Sequence, residues 1–95
     1  MPWRILYHEE VLSDLADIPA NLQKRLRRAI EQRLQTAPEQ YGERLSKNLS
    51  GLWKLRVGDY RVVFDLAPKA ATVTIWAIRH RKQIYPEAAR RWMRR

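Results

Sequence analysis

The hydrophobic period of this chain changes once, close to Gly51. Upstream, Leu22, Leu26, Ile30 and Leu34 recur every four residues, which places them along one face of a helix. Downstream, Trp53, Leu55 and Val57, then Tyr60, Val62, Phe64 and Leu66, recur every second residue, which places them on one face of a sheet. One period does not serve the other structure, so the chain must set a helical layer against a sheet.

The remaining segments fit that frame. "WRILYH" (3–8) is rich in strand-forming residues and reads as a first strand. "EEVLSDLADI" (9–18) carries Val11, Leu12, Leu15 and Ile18 at helical spacing, with Glu9 and Glu10 where a helix dipole favours acids; Pro19 ends it. A second helix over "ANLQKRLRRAIEQRLQTA" stops before Pro38 and forms an antiparallel hairpin with the first. Residues 37–51 are polar and turn-rich and read as a loop. "WKLRVGDYRVVF" (53–64) is a β-hairpin turning at Gly58 and Asp59, "ATVTIWAIRH" a third, central strand, and "IYPEAARRWMRR" a short basic C-terminal helix with Pro86 in its first turn. The predicted fold is a small α+β domain spanning 1–95, βααβββ, in which a first strand and helical hairpin back an antiparallel meander.

Cysteine is absent, so packing alone must hold the core and a reducing cytoplasm is compatible. No leader-like or membrane-spanning apolar run is present, and the expectation is a soluble, unexported, cytoplasmic protein. Charge is uneven. Residues 1–53 hold 8 basic and 7 acidic side chains, whereas residues 54–95 hold 11 basic and 3 acidic. Such a one-sided excess attracts polyanions by steering and counterion release.

Within the basic half, Lys54 and Arg56 share one face of the hairpin, and pairing brings Arg61 alongside. Three like charges there cost stability unless an anion sits among them, although basic side chains also guard ordinary sheet edges. Arg79, His80, Arg81, Lys82 and Tyr85 follow as the third strand ends, and a meander returns them to the hairpin. The candidates for RNA contact are Lys54, Arg56, Arg61, Arg81, Lys82, Arg90 and Arg91. Trp53, Trp76 and Trp92 read as packing anchors rather than base-stacking platforms.

"LSGLWKLRVGDYRVVF", followed by "VTIWAIRHRKQIY", resembles the RelE/ParE superfamily of toxin–antitoxin modules over essentially the whole chain. Resemblance to RelE-type members implies a ribosome-dependent mRNA endonuclease that cuts in the decoding site and is silenced by a co-encoded, acidic RelB-like antitoxin. Matched motif by motif, Lys54, Arg56, Arg61, Arg79 and Tyr85 fall on positions functional in RelE-type toxins, with Arg81 on the neighbouring basic position. Arg56 stands where RelE has lysine, and Arg79 where many relatives with "HRK" have glycine.

The residue chemistry agrees. Asp59 and Asp65 are the only acids on the predicted sheet, with no acidic cluster, so neither a metal nor another cofactor is expected. RNA can be cut without one, because its 2′-hydroxyl attacks the adjacent phosphate and leaves a 2′,3′-cyclic phosphate and a 5′-hydroxyl. That reaction needs charge stabilisation and a proton carrier. Arg56, Arg61 and Arg79 would hold the phosphate, and Tyr85 would stack on or orient a base. Lys54 is the preferred base, since crowded like charges disfavour one another, and His80 competes for the role. Catalytic candidates are therefore Lys54, Arg56, Arg61, Arg79, His80 and Tyr85. Two rival functions share these residues: a ParE-like inhibitor of DNA gyrase and a non-catalytic RNA-binding module. ParE-type members generally lack the full tail set retained here, so RNA cleavage, with neither DNA nor membrane as partner, is the preferred reading.

Overall fold

The computed structural model describes residues 2–95. A five-stranded sheet of order β1-β5-β4-β3-β2 carries helices on both faces, built from β1 (Arg4–Tyr7), β2 (Glu43–Arg44), β3 (Trp53–Val57), β4 (Tyr60–Ala67) and β5 (Thr72–His80). β3, β4 and β5 form the predicted meander, with Trp53 opposite Phe64 and Val63 opposite Ala77. β1 adds in parallel to β5, Arg4 opposite Thr72, which makes β5 interior as its apolar composition requires.

Helices α1 (Val11–Ala16) and α2 (Ala20–Ala29) cover one face. Val11, Leu26, Ile30 and Leu34 pack there on Leu55, Val62, Phe64 and Ile75. An α-helix advances about 100° per residue, so residues four apart drift about 40° round the axis at each step. Past Ala29 the helix widens into a π-helical turn, Ile30–Leu34, and this wider turn offsets the drift. Leu26, Ile30 and Leu34 are all buried as a result. The expected apolar face of α1 is narrower: Leu12 is 78 % exposed, while Asp14 is 1 % exposed.

Residues 37–51 are more ordered than a loop. They contain α3 (Pro38–Tyr41), edge strand β2 and a 3₁₀ turn, Lys47–Leu49. Gly42, which caps the end of α3, lets the chain pass close to the core, because a Cβ there would stand 2.6 Å from the Phe64 ring and 2.8 Å from the Pro38 carbonyl oxygen.

On the other face, α4 (Ile84–Met93) lays Ile84 and Ala88 on Val63, Ala77, Leu49 and Leu52. The second face of the hairpin is thus not simply cationic, since its middle is a second small core. A bulge at Val63/Phe64 leaves Trp76 as the extra residue of β5. The Trp76 indole donates to Asp65 Oδ2 at 3.2 Å, stacks on His8 at 4.9 Å and meets Trp92 edge-on at 5.1 Å. Among the described residues, no helix is long and apolar enough to cross a membrane.

Candidate functional site

β3 and β4 set the candidate residues by register. Arg56 lies opposite Arg61, and Arg61 opposite Arg79, so three arginines stand in one row across three strands. Val63 and Ala77 belong to the α4-side core, which puts Arg61 and Arg79, two residues away on their strands, on that same face. Lys54 and Arg56 share it.

The row is held apart by giving each guanidinium a different surrounding. Arg61 is only 8 % exposed, and its Nη1 donates to the Gly58 and Tyr60 carbonyls at 2.9 Å each, bracing the hairpin turn. Arg79 Nη1 reaches Asp14 Oδ1 at 3.4 Å. Arg56 is exposed.

Lys54 and Tyr85 are brought together. Lys54 Nζ donates to the Tyr85 hydroxyl at 3.3 Å and lies 5.8 Å from the ring centroid. Both are half-buried. The Lys54 amine of β3 and the Tyr85 phenol of α4 thus stand side by side, with Arg61 on the neighbouring strand β4.

His80 is not part of that group. Its register partner is Tyr60, which packs on the α1/α2 side, and the two rings meet edge-on at 5.7 Å. Its Nδ1 accepts the Lys82 backbone N–H at 3.2 Å. Arg81 and Lys82 are exposed, and Arg81 Nε lies 3.9 Å from Asp59 Oδ1.

The two helical arginines expected to contact RNA are otherwise engaged. Arg91 is 4 % exposed and grips Asp14 with both terminal nitrogens at 2.8 Å, while its Nη1 also donates to the bulge carbonyl of Trp76 at 2.9 Å. Its Nε lies 3.5 Å from Glu87 Oε1 and 3.8 Å from Glu10 Oε2 without a well-formed hydrogen bond. The Asp14 hydrogen bond above all raises the Arg91 pKa, against the opposing effect of burial. Arg90 pairs with Glu10 and Glu87, and the bond from Arg90 holds the Glu10 carboxyl below its usual range.

Asp14 is the residue that sequence reasoning missed. Its Oδ2 also accepts the Ile78 backbone N–H at 3.0 Å, capping the edge of β5 beyond the end of β1. Its spacing held the signal: it follows Val11 by three residues and so lies on the buried face of α1, where a lone acid demands a buried partner. Arg91 carried the matching sign, seven residues after Ile84 and three after Ala88 on the buried face of α4.

Of the two sheet acids, Asp65 is taken up by Trp76, and burial, its largest influence, raises its pKa against that hydrogen bond. Among the described residues, no three His, Asp or Glu side chains gather as a metal site.

A family model described as the ParE toxin of a type II toxin–antitoxin system, parDE, matches residues 5–85. No curated protein matches the chain in sequence. Among solved structures, the toxin–antitoxin complex RelBE2 from Mycobacterium tuberculosis superposes with a TM-score of 0.80 at 22% identity, covering 84% of this chain and 92% of that one. A mutant of the E. coli toxin RelE in the free state gives 0.73 at 16% identity, over 96% and 98% of the two chains. The RelB–RelE complex from Methanococcus jannaschii gives 0.65 at 23% identity, over 85% and 95%. At these identities the structural likeness is one of fold.

Proposed function

The chain belongs to the ParE toxin family of type II toxin–antitoxin systems, within the RelE/ParE superfamily, and from that premise we propose that it is a ribosome-dependent mRNA endonuclease held silent by an acidic antitoxin. The observation that carries this reading is the Lys54–Tyr85 contact at 3.3 Å on the sheet face that also bears Arg56, Arg61 and Arg79. In the proposed reaction the message's 2′-hydroxyl attacks its own phosphate. The P–O5′ bond breaks, leaving a 2′,3′-cyclic phosphate and a 5′-hydroxyl. Lys54 takes the 2′ proton, and a proton from solvent or the Tyr85 hydroxyl goes to the departing oxygen. Arg56, which is exposed, offsets charge on the phosphate oxygens, Arg61 adds positive potential from its place behind the turn, and Tyr85 positions the base beside the cut. Arg79, paired with Asp14, contributes positive potential from a fixed place.

An acidic antitoxin of the RelB type fits the charge of residues 54–95 and would supply the fast, tight capture a toxin requires. One observation favours the rival gyrase-inhibiting reading. Arg79, Arg90 and Arg91 are tied to Asp14, Glu10 and Glu87, leaving fewer free cations in the tail than RNA cleavage would use.

The reaction is tested with programmed ribosomes and a message carrying one 2′-deoxynucleotide at the cut codon. The ribose message should be cut to a 2′,3′-cyclic phosphate, and the deoxy message should stay whole at that bond. Equal cutting of both, or a 3′-hydroxyl product, would remove 2′-hydroxyl attack from the account.

A further inference from the structure

Most of the 19 Lys and Arg side chains have no carboxylate at ion-pair distance among the described residues, and four of these gather in one place. Arg79, Arg81, Arg90 and Arg91 each have a carboxylate within 4.0 Å. Arg25, Arg28, Arg33 and Arg56, by contrast, all exposed, have no carboxylate at ion-pair distance among the described residues. These four line one cleft of about 400 Å³ between α2, its π-helical extension and the β3–β4 turn. Gln32, Ala29, Val57 and Gly58 complete its walls, and no acid does.

Arg25 leans on the turn, its Nη1 3.1 Å from where a Cβ of Gly58 would stand, so the glycine makes room for the guanidinium. The helix C-terminus accounts for a cation at Arg33. It does not account for Arg25 and Arg28, which precede the π-helical extension, nor for Arg56, which lines the cleft from the stretch of β3 beyond its pairing with β2. Like charges gathered in this way repel unless an anion occupies the space between them.

We propose that this cleft binds the phosphate backbone of single-stranded RNA, as a second contact for the strand held at Lys54 and Tyr85. The proposal rests on the reading that RNA is the substrate. Arg56 links the two places: it lines the cleft, and it stands opposite Arg61 in the sheet. The β3–β4 turn that carries Gly58 follows directly on β3, which bears both Lys54 and Arg56.

The walls favour a nucleic-acid backbone over an acidic protein chain. Protein interfaces are anchored by large apolar or aromatic side chains at their centre. This cleft offers only Ala29 and Val57, and both are buried. Forked guanidiniums in a groove without an apolar anchor suit phosphate oxygens.

The test uses a fluorescent, uncleavable 2′-O-methyl oligouridylate, its affinity measured by anisotropy over a series of KCl concentrations, with poly-L-glutamate as a second ligand. Removing two phosphate contacts from a single strand should flatten the slope of log affinity against log salt by about 1.4, at about 0.7 per contact. Arg25→Gln/Arg28→Gln should show that flattening and an affinity loss of about tenfold at low salt. Arg25→Lys/Arg28→Lys, which keeps both charges, should retain the wild-type slope. An unchanged slope in the glutamine variant, with unchanged thermal melting, overturns the proposal. So does loss of poly-L-glutamate binding alone, which would assign the cleft to an acidic protein. The predicted slope change in a protein that cuts no message would leave this inference standing and remove the proposed reaction.

Discussion

Replacing Asp14 with alanine should cost about 3 kcal/mol or more of unfolding free energy, the loss expected when one partner of a buried ion pair is removed. The carboxylate is 1 % exposed and serves three partners at once: the Arg91 fork, the Arg79 guanidinium and the Ile78 N–H. Without it the buried Arg91 keeps the Trp76 carbonyl and, as carboxylates, only Glu10 and Glu87 at 3.8 and 3.5 Å. A domain of this size has a total stability of roughly 5–15 kcal/mol, so the loss is a large fraction of the whole. Denaturant unfolding of Asp14→Ala, Arg91→Ala and the double variant is the check. The double variant should lose much less than the sum of the single ones, because the second substitution removes a charge already stranded. Additive losses, or a single loss under about 1 kcal/mol, would show that the pair does not join α1 to α4 as described.

Lys54→Ala should lower single-turnover cleavage on programmed ribosomes by about 10²-fold or more, the range in which a proton-transfer or charge-stabilising group acts. His80→Ala should leave the rate within a few fold of wild type. The geometry behind this asymmetry is that Lys54 touches Tyr85, while His80 is turned to Tyr60 on the opposite face and bonded to the Lys82 backbone. With His80 uninvolved, the rate should go on rising with pH beyond the range in which an imidazole titrates. A collapse in His80→Ala with Lys54→Ala near wild type, together with a rate that levels off above neutrality, would move the base to the histidine.

Much of the architecture was legible because it follows from local periodicity. The four-residue spacing from Leu22 to Leu34 marks α2 and its π-helical extension, and the two-residue spacing after Gly51 marks the hairpin. Less legible were the features that depend on distant partners. The parallel seat of β1 on β5 is set by residues nearly seventy positions apart and leaves no local trace. β2 is two residues long, too short to display a period.

The charge pattern is the clearest case. Counted along the chain, the excess lies in residues 54–95. In space, Glu10 and Asp14 from the first half neutralise Arg90, Arg91 and Arg79 from the second. The arginines of α2, balanced in the linear count by nearby acids, are left without carboxylate partners among the described residues. Lys54 and Tyr85 could be paired from the sequence only through a family resemblance, since 31 residues and a third strand separate them.

Whether this member of the ParE toxin family acts on translated RNA is decided by brief induction of the chain without an antitoxin, with transcript ends mapped and plasmid supercoiling measured in the same cells. Translated messages should be cut within codons, supercoiling should stay unchanged, and Lys54→Ala should lose both growth arrest and cutting. Intact messages accompanied by gyrase-dependent DNA breaks would contradict action on RNA and assign the toxin to gyrase.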